Sequence, residues 1–147
     1  RFLPSLPVEV RRGAVVQAAD AERGDATLDR AVRELFAELG ELVVLDDKLV
    51  DVAMGLMSCA PAYVALVAEA QVDAGVRRGI APAQASALVI ETLAGTAELL
   101  RKREYDTLAV RREVTSPGGT TAKGLDALER GGIRSAFSDA LDAVLGK

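Results

Sequence analysis

The chain has 147 residues, half of them hydrophobic but only 3% aromatic, so it can bury one domain-sized core built mainly from Ala, Val and Leu. The net charge of −4 and a pI near 4.9 exclude a basic nucleic-acid-binding surface. The chain has no histidine and one cysteine, which excludes His-dependent nucleophile systems and an internal disulfide. We therefore expect no metal site, no nucleic-acid partner and a cytoplasmic location.

The first 45 residues have the pattern of a strand, a helix and a second strand. The apolar run between Gly13 and Asp20 predicts the first strand. Asp25 or Thr27 can cap a helix that continues to Gly40, which we expect to be the C′ residue. The apolar run at residues 41–45 predicts the second strand.

From residue 46 onward the hydrophobic pattern is helical throughout. The predicted helices cover residues 46–56, 61–79, 82–103, 107–114, 121–130 and 133–145. The second and third are apolar on nearly every face, so each must be covered on several sides. An extensive homodimer would provide that cover, and a single-chain bundle with these two helices at its centre is the alternative. The uncharged run from Val52 to Ala68 is interrupted by Gly55 and Pro61 and is shorter than the ~20 residues of a membrane span, so we expect no membrane partner.

The most specific motif of the chain is the hexapeptide Ser116-Pro117-Gly118-Gly119-Thr120-Thr121, which opens a predicted helix. Glycines at a helix start allow the backbone N–H groups to converge on a small anion such as a carboxylate or a phosphate. The threonine hydroxyls can orient the group that carries the anion. An ordinary turn followed by a capped helix start is the alternative interpretation.

With its flanking segments, this hexapeptide resembles the C-terminal part of pyrroline-5-carboxylate reductases. The matching segments include Arg112-Glu113-Val114-Thr115, Gly131-Gly132-Ile133-Arg134, Gly55-Leu56, Ala60-Pro61-Ala62-Tyr63 and the opening Arg1-Phe2-Leu3-Pro4-Ser5-Leu6-Pro7. The resemblance covers essentially the whole chain. It implies a mainly α fold, with an all-helical dimerisation and substrate-binding domain over residues 46–147. Residues 1–45 would then be the β-α-β end of a Rossmann domain.

The resemblance also implies an activity, which is the last step of proline biosynthesis. Reductases of this family are oxidoreductases that reduce 1-pyrroline-5-carboxylate to proline with a hydride from NADPH or NADH. They work as homodimers or as larger assemblies of dimers. Because a protonated imine is already electrophilic, a site without histidine is chemically sufficient for this reaction.

The resemblance assigns roles to individual residues of the hexapeptide and of the segment before it. Ser116 and the glycine-threonine backbone of Gly118, Gly119, Thr120 and Thr121 would hold the substrate carboxylate. Thr121 would also hydrogen-bond the ring nitrogen and act as the catalytic residue. Glu104 would organise water near that nitrogen, with an ordinary exposed glutamate as the simpler interpretation. Glu113 and Val114 would contribute to cofactor binding.

Other features separate this chain from a complete reductase. It has no G-x-G-x-x-G turn and begins with Arg1, so we expect it to be the C-terminal part of a longer polypeptide and to be inactive alone. A free-standing dimerisation protein is the alternative. Substitutions relative to the family pattern lie at Ser58-Cys59-Ala60, Ser5-Leu6, Glu113 and Tyr105-Asp106. They leave two further hypotheses open, a non-catalytic dimerisation module and an imine reductase for another cyclic substrate that carries a carboxylate.

Overall fold

The computed structural model describes residues 1–19 and 25–146. These residues form two compact units. One unit comprises Arg1–Val64 with the C-terminal segment from Asp139, and the other comprises Ala65–Ser138. The division falls inside two helices, so the units do not coincide with the domain boundary at residue 46 that the sequence suggests, and that boundary stays a prediction.

The first unit contains a three-stranded sheet in the order β1-β2-β3. Its strands are β1 (Phe2–Pro4), β2 (Gly13–Ala19) and β3 (Gly40–Asp46), and a 3₁₀ helix over Leu6–Val10 and helix α1 (Ala26–Ala37) connect them. β1 pairs with β2 antiparallel and β3 pairs with β2 parallel. The predicted strand–helix–strand unit is therefore confirmed. The residue expected to end its first strand, Asp20, lies outside the described residues.

The central strand β2 and the helix that follows the sheet form the core of this unit. Val16 and Ala18 of β2 pack with Val50, Ala53 and Met57, which lie on α2 (Val50–Met57). The side chains of β2 are mostly buried, because residues of α2 pack against this strand, whereas those of β3 are mostly exposed. Asp25 caps α1 through its carboxylate, as predicted, by accepting from the N–H groups of Thr27 and Leu28.

The role predicted for Gly40 is wrong. Helix α1 ends at Ala37, its C-cap residue is Glu38, and Gly40 is the first residue of β3. Gly40 has a φ of +148°, and a β-carbon there would collide with the carbonyl group of Gly13 on the neighbouring strand. Glycine is therefore required by the close approach of two strands and not by a helix end.

The remaining helices confirm the predicted helical pattern to within a few residues at each end. They are α3 (Ala60–Val76), α4 (Pro82–Lys102), α5 (Thr107–Glu113), α6 (Thr120–Arg130) and α7 (Ile133–Val144). Pro82 occupies the first turn of α4, where a missing N–H costs nothing, and Gly132 has the positive φ that separates α6 from α7. The structure thus confirms the mainly α fold with a preceding β-α-β unit.

Helices α3 and α4 leave large apolar side chains exposed in the single chain. Leu66 of α3 is 63% exposed and Leu88 of α4 is 61% exposed. The helical stretch Asp47–Val76 also has the length and the apolar composition of a membrane span, which differs from the expectation based on its uncharged run. The stretch is not one uninterrupted helix, because α2 ends at Met57 and α3 begins at Ala60.

Candidate functional site

The hexapeptide forms a tight turn in front of helix α6. The N–H group of Gly119 donates to the carbonyl oxygen of Ser116 at 3.0 Å, which closes a four-residue turn with Pro117 at its second position. Gly118, at the third position, has a φ of +70°, the conformation that a type II turn requires and that glycine adopts without strain. Pro117 and Gly118 thus provide the backbone conformations that this turn requires.

Helix α6 begins without a side-chain cap. Its N-cap residue is Gly119, which has extended backbone angles and no side chain to accept from the first-turn N–H groups. The carbonyl oxygen of Gly119 accepts from the N–H of Lys123 at 3.3 Å, so the helix starts properly while its first N–H groups have no side-chain acceptor. This start differs from those of α1 and α5, which aspartates cap. The structure therefore argues against the capped-start alternative at α6, and the anion site expected there stays a prediction.

Three hydroxyl groups surround this uncapped helix start. Ser116 lies at the first position of the turn and Thr120 and Thr121 are the first two residues of α6, and all three are exposed. A β-carbon on Gly119 would collide with the Ser116 hydroxyl oxygen, so that oxygen lies directly beside the backbone of the N-cap residue. Ser116, Gly118, Gly119, Thr120 and Thr121 thus lie in the turn and at the start of α6, and the binding roles assigned to them stay a prediction.

An ion pair fixes the segment that leads into the loop. Nε of Arg103, the C-cap residue of α4, lies 2.8 Å from Oε1 of Glu113, and the Nη2 atom of Arg103 lies 3.2 Å from Oε2. Hydrogen bonds from Arg103, more than its charge, hold the pKa of Glu113 below its ordinary value. Glu113 is one of the substitutions relative to the family pattern, and the structure shows its negative charge paired with Arg103. Val114, the second predicted cofactor contact, is 59% exposed.

Glu104 lies in the turn between α4 and α5, away from the hexapeptide in sequence. Glu104 and Tyr105 are consecutive residues with φ values of +52° and +64°. The N–H of Glu104 donates to the carbonyl oxygen of Arg101 at 3.1 Å, and its side chain is exposed. Two non-glycine residues in left-handed conformation cost roughly 1–2 kcal/mol each, and such strain concentrates at functional sites. The described hydrogen bonds and ion pairs do not join Glu104 to the hexapeptide.

The other end of helix α6 is held by a second forked ion pair. Nε and Nη2 of Arg134 each lie 2.8 Å from an oxygen of Glu129, across the Gly131-Gly132 turn. Hydrogen bonds from Arg134 are the largest cause that lowers the pKa of Glu129, and the charge of Arg111 adds to the effect. Since Arg111 belongs to α5 and Arg134 to α7, cations from two neighbouring helices lower the pKa of this α6 carboxylate.

A separate groove in the first unit brings together two segments that sequence reasoning had treated independently. The groove has a volume of about 410 Å³, and the opening segment lines it through Ser5 and Pro7 while the start of α3 lines it through Ala60 and Pro61. Its wall is mostly apolar, and Arg12 is the charged residue among those that line it. Periodicity and spacing carry no signal for this groove, because the segments are more than 50 positions apart.

The substituted residues Ser58 and Cys59 form the turn between α2 and α3, and the substituted Ala60 is the first residue of α3. The N–H groups of Ser58 and Cys59 both donate to the carbonyl oxygen of Met54, at 2.9 and 3.1 Å. Partial burial and the nearby Cys59 thiol raise the pKa of the Tyr63 hydroxyl. Among residues 1–19 and 25–146, no three His, Cys, Asp or Glu side chains gather where they would hold a metal ion, and the predicted absence of a metal site stays a prediction.

Comparison with known proteins gives a consistent result over the whole chain. The family model for pyrroline-5-carboxylate reductase dimerisation matches residues 47–147. The chain is 41% identical to a pyrroline-5-carboxylate reductase of Thermus thermophilus and 38% identical to one of Synechocystis, each over 144 residues. Each of these alignments covers 98% of this chain and 54% of the relative. It therefore spans about half the length of the curated relatives that it matches.

Solved structures of the same kind have the same fold over this region. A pyrroline-5-carboxylate reductase from Coxiella burnetii superimposes with a TM-score of 0.93 at 29% identity, over 99% of this chain and 54% of that one. A Plasmodium falciparum pyrroline carboxylate reductase with NADP bound superimposes with a TM-score of 0.86 at 29% identity, over 97% of this chain and 58% of that one.

Proposed function

The chain belongs to the pyrroline-5-carboxylate reductase family, and from this premise we propose that it is the C-terminal part of an enzyme that reduces 1-pyrroline-5-carboxylate to proline. The observation that carries the proposal is the uncapped start of α6 behind the turn that Ser116 and Gly119 close. A helix start of this kind suits a carboxylate, and the substrate is a cyclic imine with one carboxylate.

The loop binds the substrate through its carboxylate. The first-turn N–H groups of α6 and the Ser116 hydroxyl donate to the carboxylate oxygens, and the glycine backbone of Gly118 and Gly119 permits their close approach. Such charge-assisted hydrogen bonds fix the ring in one orientation, which is the main requirement of a hydride transfer to a preformed electrophile. Thr120 contributes to the same set of donors from the first position of α6.

Thr121 is the residue that we assign to the ring nitrogen. Its hydroxyl can accept from the protonated imine and can donate to the amine after reduction, so one group serves both protonation states. It lies in the first turn of α6, one residue beyond Thr120, and is exposed in the single chain. Glu104 organises a water molecule for the same nitrogen in this proposal, which is supported by its strained turn and by the family resemblance.

The described residues can contribute contacts to the nicotinamide ring of NADPH or NADH, but not to its pyrophosphate. The chain has no glycine-rich strand–helix turn for the pyrophosphate, whereas Val114 presents an exposed apolar side chain next to the anion loop. The carboxylate of Glu113 accepts hydrogen bonds from Arg103, so the backbone of Glu113 is the part of this residue that would contact the cofactor. When bound, the nicotinamide supplies the hydride that adds to the imine carbon, and NADP bound to the Plasmodium falciparum relative supports this assignment.

We assign the exposed apolar faces of α3 and α4 to a second copy of the chain. A homodimer, or a larger assembly of dimers, would bury side chains such as Leu66 and Leu88, and the matched family model describes a dimerisation region. The same contact accounts for the apolar composition of Asp47–Val76 in a protein that works in the cytoplasm without a membrane.

The deciding experiment measures oxidation of NADPH and of NADH by the full-length protein with 1-pyrroline-5-carboxylate. Thr121→Ala should lower kcat by about a hundredfold, the scale of removing one positioned donor. Thr27→Ala removes a hydroxyl in the same helical position of α1 and should leave kcat unchanged. Normal turnover by Thr121→Ala would contradict the role of Thr121, and a folded protein without turnover would favour a non-catalytic dimerisation module or another cyclic imine substrate.

A further inference from the structure

The Arg103–Glu113 ion pair joins the end of one helix to the end of the next. Arg103 is the C-cap of α4, and Glu113 is the last residue of α5. Both oxygens of the Glu113 carboxylate are engaged, at 2.8 and 3.2 Å, which is the bidentate geometry that a guanidinium favours. The intervening turn contains the two left-handed residues Glu104 and Tyr105. The eleven residues from Arg103 to Glu113 are thus closed into a hairpin whose ends meet at this pair.

This hairpin leads directly into the carboxylate-binding loop, which is the hexapeptide that starts at Ser116. Helix α5 has only seven residues and is too short to be stable alone. Asp106 caps its first turn, the Thr115 hydroxyl donates to the carbonyl oxygen of Arg111 at 2.6 Å, and Arg103 holds its last residue. The loop residue Ser116 follows Glu113 by three positions, at most about 11 Å of extended chain.

The charge of Glu113 has a consequence for an anionic substrate. A carboxylate within about one Debye length of the loop repels the carboxylate of the substrate unless a cation balances it. Arg103 supplies that cation and also holds the Glu113 side chain against the end of α4. As a solvent-exposed pair, with both side chains about 40% exposed, it contributes little to overall stability.

We propose that Arg103 is a positioning residue for the carboxylate-binding loop, and that it acts by holding and neutralising Glu113. The inference rests on the proposed function, because it assigns to the pair an effect on the affinity for an anionic substrate. Arg103 does not touch the substrate, and removing it exposes the charge of Glu113 to the loop. Removing Glu113 as well removes the repulsion, so the two substitutions compensate.

The test is steady-state kinetics of the full-length enzyme with 1-pyrroline-5-carboxylate at low ionic strength. Arg103→Gln should raise KM about two- to fivefold, the scale of one screened charge, and change kcat less than twofold. The double variant Arg103→Gln/Glu113→Gln, which carries neither charge, should return KM to near the wild-type value. Raising the salt concentration should reduce the effect of Arg103→Gln.

A matched control separates this effect from the loss of any surface ion pair. Arg130→Gln removes the exposed Arg130–Asp126 pair, whose atoms are 3.0 Å apart on α6, and should leave KM unchanged. The inference would be overturned if Arg103→Gln had the same KM as Arg130→Gln. It would also be overturned if the KM of the double variant were as high as that of Arg103→Gln alone. Both outcomes would leave the proposed function intact. Absence of turnover by the wild-type protein would overturn both.

Discussion

The hydroxyl oxygen of Ser116 lies so close to the backbone of Gly119 that a β-carbon on residue 119 would collide with it. The same two residues are joined by the hydrogen bond from the N–H of Gly119 to the carbonyl of Ser116, at 3.0 Å. Ser116 therefore reaches the N-cap position of α6 only because residue 119 has no side chain. The relationship places one hydroxyl donor beside the helix start at which we locate the substrate carboxylate.

Gly119→Ala should therefore damage the site more than the fold. The added methyl group displaces the Ser116 hydroxyl, so we expect KM for 1-pyrroline-5-carboxylate to rise at least tenfold, the loss of about one charge-assisted hydrogen bond. Gly124→Ala is the matched control, because nothing lies within 4 Å of its β-carbon and alanine favours the interior of α6 by about 0.5–1 kcal/mol. An unchanged KM in Gly119→Ala, measured with an unchanged melting temperature, would show that Ser116 is not a ligand.

Glu104→Gly separates the chemical role of Glu104 from its structural one. Glycine adopts the observed φ of +52° without strain, and this gain offsets its larger loss of conformational freedom on folding. The melting temperature should therefore not fall, whereas turnover should fall about tenfold if the carboxylate organises water at the ring nitrogen, less than the ~10²–10⁴-fold of a direct proton donor. The test is to measure the melting temperature and kcat of Glu104→Gly on the same preparation. An unchanged kcat would show that Glu104 is an ordinary surface residue.

Much of this architecture could be predicted from the sequence, because its signals are local. Hydrophobic periodicity located the helices, and Pro117 with two glycines predicted the turn before α6. The strand β1 was missed, since three residues ending in proline give no periodic signal. The assignment of Gly40 as a helix end failed because the contact that requires glycine comes from Gly13, a residue distant in sequence.

The parts of the site that sequence reasoning missed depend on tertiary contacts. Arg103 and Glu113 are ten residues apart and meet only because Glu104 and Tyr105 adopt left-handed conformations that their residue types do not indicate. The apolar groove unites Ser5 and Pro61, which no spacing rule connects. Charge pairing across turns and the meeting of distant segments are the features that required a structure.

The Glu129–Arg134 pair should make stability depend on pH in mild acid. Because the folded-state pKa of Glu129 lies below its ordinary value of 4.5, the stabilisation is complete above that value and is lost as pH falls through the lowered pKa. The melting temperature of Glu129→Gln should be lower than that of the wild type near neutral pH, and the difference should shrink as pH falls below about 4.5. The melting-temperature difference between Arg134→Gln and the wild type should shrink in the same way. A difference that stays constant from neutral to acidic pH would contradict a stabilising role for the Glu129–Arg134 pair.

The exposed apolar face of α3 predicts the effect of a charge on assembly. Leu66 is 63% exposed in the single chain, and a homodimer that covers it would have to bury any charge placed there. Leu66→Glu should therefore shift the full-length protein from dimer to monomer in sedimentation at micromolar concentration, and turnover should fall with it. Leu35→Glu is the matched control, because Leu35 is 66% exposed on α1, outside the surface assigned to the second copy. A dimer that survives Leu66→Glu would place the interface on another face of the molecule.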